Sequence, residues 1–88
     1  MSNYIKDPAA VLDYKFDWSA WLDGDTISSH NVTAPAGITI DSTSATTSEV
    51  TAWVSGGTSG STYVLDCTVS TAAGRTDSRK MTINVTDL

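Results

Sequence analysis

The chain has 88 residues, enough for one small domain and too few for separate substrate and cofactor lobes. Serine and threonine together number 26 and there is one glutamate, a composition that favours strands and turns over helices. The net charge of −5, without a basic cluster, removes the electrostatic attraction that supplies most nucleic-acid affinity. We therefore predict an all-β domain and exclude nucleic acid and anionic membranes as expected partners.

The first ten residues are predicted to form an extended N-terminal arm, with the folded domain over residues 11–88. Asp7-Pro8 disfavours helix, and the segment has no sustained periodicity. Tyr4 and Ile5 fall outside any strand period, so we expect the arm to pack on a neighbouring subunit through these two side chains. The arm has no apolar core of a signal peptide, and no run in the chain approaches the roughly 20 apolar residues of a spanning helix.

The first strand is predicted from strict alternation of apolar and polar residues. The apolar members share one face and are Leu12, Tyr14, Phe16 and Trp18. This register places Trp18 in the core. Asp23-Gly24-Asp25 then predicts a turn, with Gly24 free to take a positive φ. A weaker polar strand is expected over Thr26 to Thr33, and a short third strand around Ile38 and Ile40.

The middle of the chain combines a polar stretch with one alternating strand. Residues 41–48 contain Ser, Thr, Ala and Asp alone, which predicts a crossover between two sheets rather than a strand. Val50, Ala52 and Val54 then point inward, which turns Trp53 outward. Trp21 is out of phase with its apolar neighbours in the same way, so we expect both indoles to be exposed.

The C-terminal part is predicted to form an antiparallel hairpin at the centre of the core. Residues 62–70 alternate, and the inward set is Tyr63, Leu65, Cys67 and Val69. The loop over residues 71–75 places Gly74 at a left-handed position. Met81, Ile83 and Val85 line the inner face of the last strand. Six or seven short strands without a helical pattern favour a Greek-key β-sandwich of about seven strands over a small barrel.

Two groups of segments carry a family resemblance. The run GSTYVLDCTVSTAAGRTD at 60–77, with MTINV at 81–85, resembles the last hairpin of bacterial and phage immunoglobulin-like domains. With KDPAAVLDY at 6–14, DWSAWL at 17–22 and GDTI at 24–27, nearly the whole chain resembles small phage virion proteins of the fibre–tail adaptor type. The resemblance implies a single immunoglobulin-like sandwich and a structural role in a tailed phage. The single Cys67 excludes an antibody-type disulfide.

Candidates for chemistry are few, and we predict no enzyme activity, no cofactor and no metal. His30 is the one histidine and lies in a polar strand, where a surface position is expected. Cys67 alternates with apolar residues, which predicts a buried thiol with a raised pKa. Asp23 and Asp25 flank a turn and carry oxygen ligands that Ca²⁺ prefers, but two aspartates fall far below a full ligand set.

The predicted function is a non-enzymatic structural component of a tailed phage virion that binds other virion proteins. The predicted interface residues are Tyr4, Ile5, Trp21 and Trp53, because aromatic side chains are enriched at interface hot spots. A tail or neck fibre adaptor is the first position considered and a capsid decoration protein the second, with several copies or a homo-oligomer in the particle. Two alternatives stay open. The tryptophans are covered within the monomer, or they form the platform of a carbohydrate- or cell-surface-binding module.

Overall fold

Seven strands and one helical turn form the part of the chain that this computed structural model describes, residues 2–87. In chain order the elements are β1 (Ser2–Lys6), β2 (Leu12–Asp17), α1 (Ser19–Leu22), β3 (Ile27–Thr33), β4 (Ile38–Ala45), β5 (Glu49–Gly56), β6 (Thr62–Thr71) and β7 (Thr76–Val85). No helix among these residues is long and apolar enough to cross a membrane.

The strands form two sheets that enclose one core. The larger sheet has the order β1-β7-β6-β3 and the smaller one the order β2-β5-β4. β1 runs parallel to β7, and all other pairs are antiparallel, including the predicted β6–β7 hairpin. The predicted all-β sandwich of about seven strands is confirmed. Here β3, β6 and β7 lie in one sheet, and immunoglobulin sandwiches place their third, sixth and seventh strands in the same way.

Side-chain alternation places the inner faces as predicted. The core residues of the two sheets share near-zero exposure, and they include Trp18, Val50, Ala52, Val54, Leu65, Cys67, Val69, Met81, Ile83 and Val85. Such a core stabilises the fold through apolar area removed from water. Leu12 departs from the predicted stripe, because it begins the edge strand β2 and keeps 38% of its surface exposed. The turn residues Gly24 and Gly74 have the expected positive φ.

The predicted polar crossover over residues 41–48 is wrong for its first five residues. Asp41 to Ala45 continue β4, which pairs with β5 up to the contact of Ala45 with Val50. A bulge between Ile40 and Ser42 breaks the register. β4 is an edge strand that forms its backbone hydrogen bonds with β5. Residues 41–45 can therefore form a strand although none of their side chains is buried. The chain crosses between the sheets in the loop between β1 and β2, at α1, and in the loops that precede β4 and β6.

One helical turn stands where a strand was expected to continue. The Asp17 carboxylate accepts a hydrogen bond from the Ser19 N–H at 2.9 Å, and the turn ends at Asp23, whose φ of 46° is left-handed. Leu22 is buried against the core. Four residues are too few for a helical period, so the expectation of no helix is corrected here.

The N-terminal segment belongs to the sandwich. Ser2–Lys6 pairs in parallel with Met81 to Val85. The side chain of Lys6 is fully buried, and its Nζ donates to the carbonyls of Gly56 at 2.7 Å and Asp7 at 2.9 Å. The expectation that the first residues pack on a neighbour rather than on their own domain is therefore wrong for Ser2–Lys6, because they occupy the β7 edge of their own sheet.

Candidate functional site

The outer face of the smaller sheet presents an exposed indole. Trp53 is 42% exposed at the centre of β5, between Asp13 of β2 and Ser42 of β4. Thr51 and Ser55 lie on the same face of β5, two residues to either side. We call these five residues the Trp53 face. Its aromatic group therefore has short polar side chains as its nearest neighbours on the face, with Lys15 and Glu49 beyond Thr51, and it points outward as the alternation predicted.

A hydrogen bond fixes one border of the Trp53 face. The Ser55 hydroxyl donates to the Asp41 carboxylate at 2.9 Å, across the bulge in β4. The bulged residue thus holds a side chain of the neighbouring strand.

Trp21 lies in a different environment and is not exposed as expected. The ring is half-buried against the core and stands edge-on to Trp18, with centroids 5.2 Å apart. The guanidinium of Arg75 covers it at 4.3 Å. The prediction failed because α1 replaces the strand period that placed Trp21 outward. A contact role for Trp21 remains a prediction.

Arg75 joins α1 to the β6–β7 loop. Its guanidinium donates to the carbonyls of Trp21 at 3.2 Å and Leu22 at 2.6 Å, and its Nε donates to the Asp25 carboxylate at 3.2 Å. The same carboxylate accepts the N–H groups of Thr26 at 2.8 Å and Ala73 at 3.2 Å. These three bonds occupy most of the acceptor positions of the Asp25 carboxylate.

The electrostatics of the acidic turn follow from this network. Hydrogen bonding from the Thr71 side chain is the largest cause that lowers the pKa of Asp25 to about 2, with the Thr26 N–H and Arg75 adding to it. The residue is thus an ionised structural partner. No group of three or more His, Cys, Asp or Glu side chains that could hold a metal occurs within residues 2–87.

Tyr4 and Ile5 lie on opposite sides of β1. Tyr4 is 37% exposed and contacts Tyr14 of β2 edge-to-face at 5.3 Å, so it bridges the two sheets. The Tyr14 hydroxyl donates to the Ile5 carbonyl at 3.4 Å. Ile5 is 60% exposed and neighbours Asn84 in register, which places it on the outer face of the larger sheet. The structure therefore does not bring Tyr4, Ile5 and the Trp53 face into one patch.

A small pocket between β2 and β7 was not anticipated from the sequence. It has a volume of about 190 Å³, and its lining residues are Tyr4, Lys15, Phe16, Asp17, Arg79, Lys80 and Met81. Three strands contribute to it, so no local sequence pattern marks it. The residues meet because β2 of the smaller sheet packs near β1 and β7 of the larger one.

The two nucleophile and base candidates do not form a catalytic pair. Cys67 is fully buried, and burial raises the pKa of its thiol to about 11, although a contact with the Trp18 indole opposes this. His30 contacts the Thr43 hydroxyl through Nε2 at 3.2 Å, which links β3 to β4. The expected burial of Cys67 is confirmed. A buried neutral thiol is a poor nucleophile.

Comparison with known families shows which protein family the chain belongs to. A family model described as "Podophage GP4 fiber-tail adaptor protein gp77" matches residues 6–84. The chain belongs to this family of podophage adaptors. No match was found among curated proteins.

Membership fixes the coarse function of the chain. It is a structural protein of the fibre–tail adaptor type and a component of the phage virion, as the resemblance over residues 6–27 and 60–85 implied. The match begins at Lys6, the last residue of β1, whose buried ammonium donates to the Gly56 carbonyl, and it ends within β7. It therefore spans both sheets of the adaptor fold.

Proposed function

We propose that this adaptor binds another virion protein of the tail through the Trp53 face and does no chemistry. The observation that carries the proposal is an indole 42% exposed at the middle of a three-stranded sheet. A tryptophan there adds little to the core beneath it, which Val50, Ala52 and Val54 fill. Burying it against a partner removes apolar surface from water and supplies the anchor of an interface.

The surroundings of Trp53 suit an interface that forms after both proteins have folded. Short polar side chains around an aromatic anchor make a rim that hydrogen-bonds with a partner or with water. The net charge of −5 keeps the free adaptor soluble until it docks. Under this proposal several copies of the chain act in one particle, and each copy binds the same kind of neighbour through its Trp53 face.

A carbohydrate-binding role is the second candidate, because one observation favours it. The Asp13 and Ser42 side chains flank the indole in register, and a sugar ring stacked on an indole needs hydrogen-bonding groups of this kind at its edge. The adaptor family favours a protein partner over a glycan. The two candidates make opposite predictions for the isolated domain.

Photo-cross-linking in assembled particles tests the proposal. A benzoylphenylalanine placed at Trp53 is expected to form an adduct with another virion protein, identified by mass spectrometry. The matched control carries it at Val64, which is 40% exposed on β6 in the other sheet. An adduct at Val64 and none at Trp53 would reject the assigned face. Saturable binding of host glycans by the isolated domain, lost in Trp53→Ala, would favour the carbohydrate role.

A further inference from the structure

The two sheets end in four edge strands, and β2 is the most regular of them. β3 and β4 have irregular registers, between Ile27 and Ser29 and between Ile40 and Ser42, and such irregularities hinder pairing with a further strand. β1 is shorter, and Pro8 follows it closely. β2 pairs with β5 over six residues without a break, and its other side has no strand within residues 2–87. It therefore presents a regular row of backbone donors and acceptors.

The open side of β2 is where constant-type immunoglobulin sandwiches have their first strand. Their four-stranded sheet contains strands A, B, E and D, and its last three members match the order β2-β5-β4. In this chain the first strand, β1, pairs with β7 of the larger sheet instead. The smaller sheet thus has three strands and room for a fourth beside β2.

One apolar side chain on the inner face of β2 is uncovered at this edge. Tyr14 and Phe16 are buried, whereas Leu12 of the same stripe is exposed. Phe16 also lines the pocket of about 190 Å³ described above, which opens between β2 and β7. A strand added along β2 would bring its own inner side chains next to this leucine and this pocket.

The outward side chains of β2 alternate in the sign of their charge, in the order Asp13, Lys15 and Asp17. Glu49 lies 3.8 Å from the Lys15 ammonium, but it belongs to β5, on the side away from the open edge. The Lys15 side chain is more than half exposed, so it can also contact a group across that edge. Asp13 takes part in none of the ion pairs among the described residues.

One antiparallel register between two copies of β2 matches these charges. Centred on Tyr14, it places Asp13 of each copy opposite Lys15 of the other, twice by two-fold symmetry. Centring the pair on Lys15 opposes that residue to itself and Asp13 to Asp17. Centring it on Asp13 opposes two aspartates. A register with its centre between two residues sets inner side chains against outer ones.

We infer that two copies of the chain associate by antiparallel pairing of their β2 edges, centred on Tyr14. The pairing joins two three-stranded sheets into one sheet of six strands. Leu12 then lies opposite Phe16 of the partner subunit, beside its pocket. The inference goes beyond the proposed function, and it places both Trp53 faces on one continuous surface. Six residues a strand make a small interface, so association of the free chain should be weak and should strengthen where a particle holds copies side by side.

Sedimentation velocity of the full chain over a range of concentrations tests the inference. We expect a monomer–dimer equilibrium for the unaltered chain. Lys15→Asp and Asp13→Lys should each weaken dimerisation by about tenfold, because each variant places like charges opposite one another at two symmetric positions. The two substitutions change the net charge in opposite directions. A loss in both therefore cannot arise from net charge.

The double variant Asp13→Lys/Lys15→Asp restores opposite charges across the edge and keeps the net charge of the unaltered chain. It should regain most of the lost affinity. Asp87→Lys changes an exposed residue near the C-terminus and raises the net charge as Asp13→Lys does, yet it should dimerise like the unaltered chain. Thermal unfolding of each variant checks that it is folded. Single variants that dimerise as well as the unaltered chain would overturn the inference, and so would a chain that stays monomeric at millimolar concentration.

Disulfide trapping tests the register. Residues directly opposite have Cβ atoms about 4.5–5.5 Å apart and diagonal neighbours about 7–8 Å apart, whereas a disulfide needs roughly 3.5–4.5 Å. A mixture of Asp13→Cys and Lys15→Cys chains should therefore form a mixed dimer under mild oxidation, and either variant alone should form little. The native Cys67 is fully buried and does not compete. Equal yields of mixed and self-linked dimers, counted by mass spectrometry, would contradict the register.

The dimer and the Trp53 contact fail separately. Loss of dimerisation in Trp53→Ala, with the charge variants unaffected, would assign self-association to the Trp53 face and overturn the β2 pairing. Failure of the Trp53 cross-link in particles would leave the sedimentation and disulfide results unchanged.

Discussion

The guanidinium of Arg75 lies 4.3 Å from the centre of the Trp21 ring, 54 positions away in the chain. This contact explains why a tryptophan expected at the surface is half-buried. It also ties the helical turn α1 to the β6–β7 loop, so that one end of the sandwich is held by a stacked cation rather than by a disulfide.

Replacing Arg75 should loosen that end of the sandwich. Arg75→Lys keeps the charge but loses the planar fork that reaches Trp21, Leu22 and Asp25 together. We expect a loss of about 1–2 kcal/mol in the free energy of unfolding, measured by urea titration. Lys15→Met removes an exposed 3.8 Å pair and should change stability by less than about 0.5 kcal/mol. Equal effects would contradict the assigned role of Arg75.

Acid should weaken the same network through Asp25. Its folded pKa of about 2 lies below the unfolded value, so the stabilisation is fully present above about pH 4 and is lost as pH falls toward 2. The stability gap between the unaltered chain and Asp25→Asn should therefore be widest near pH 6 and should close on acidification. Urea titrations at several pH values measure it. A gap independent of pH would show that the charge of Asp25 contributes nothing.

The loop before β6 contains two glycines that differ in their surroundings. A Cβ at Gly57 would lie 2.7 Å from Cγ2 of Val85, whereas one at Gly60 would meet no atom within 4 Å. Both have positive φ, so Gly60→Ala carries the backbone strain alone, about 1 kcal/mol. Gly57→Ala should cost about 1–3 kcal/mol more, because Val85 belongs to the core. Thermal unfolding of the two variants side by side measures the difference, and equal melting temperatures would contradict it.

The N-terminal strand should be needed for stability. Deleting residues 1–6 removes the pairing with β7 and the buried Lys6 ammonium, and it uncovers the edge beside Met81. We expect the free energy of unfolding to fall by about 2 kcal/mol or more, seen as a lower urea midpoint. Ile5→Thr alters an exposed side chain of the same strand and should be nearly neutral. An unchanged midpoint on deletion would restore the picture of an independent arm.

Alternation predicted the two inner faces because a buried side repeats every second residue. Val50, Ala52 and Val54 could be placed this way, and so could the outward direction of Trp53. The second half of β4 escaped prediction because it has no buried side, and an edge strand needs only hydrogen bonds from its neighbour. The side-chain pattern there is the same for a strand and a loop.

The remaining errors arise from contacts between distant parts of the chain. β1 is a strand because it pairs in parallel with β7, and its own five residues show no pattern that predicts this pairing. α1 is a single turn without a period, and it reverses the exposure of Trp21. The pocket cations Lys15 and Arg79 come from separate strands, so their meeting depends on the fold as a whole.

Assembly of Trp53→Ala into tails tests the central claim most directly. The account predicts that the isolated variant unfolds within a degree or two of the unaltered chain, since its side chain lies outside the core, while its incorporation into particles falls sharply. Trp18→Ala is the stability control and should lose roughly 3–5 kcal/mol as a fully buried tryptophan. Normal incorporation of Trp53→Ala, or destabilisation as large as that of Trp18→Ala, would contradict a docking role for the Trp53 face.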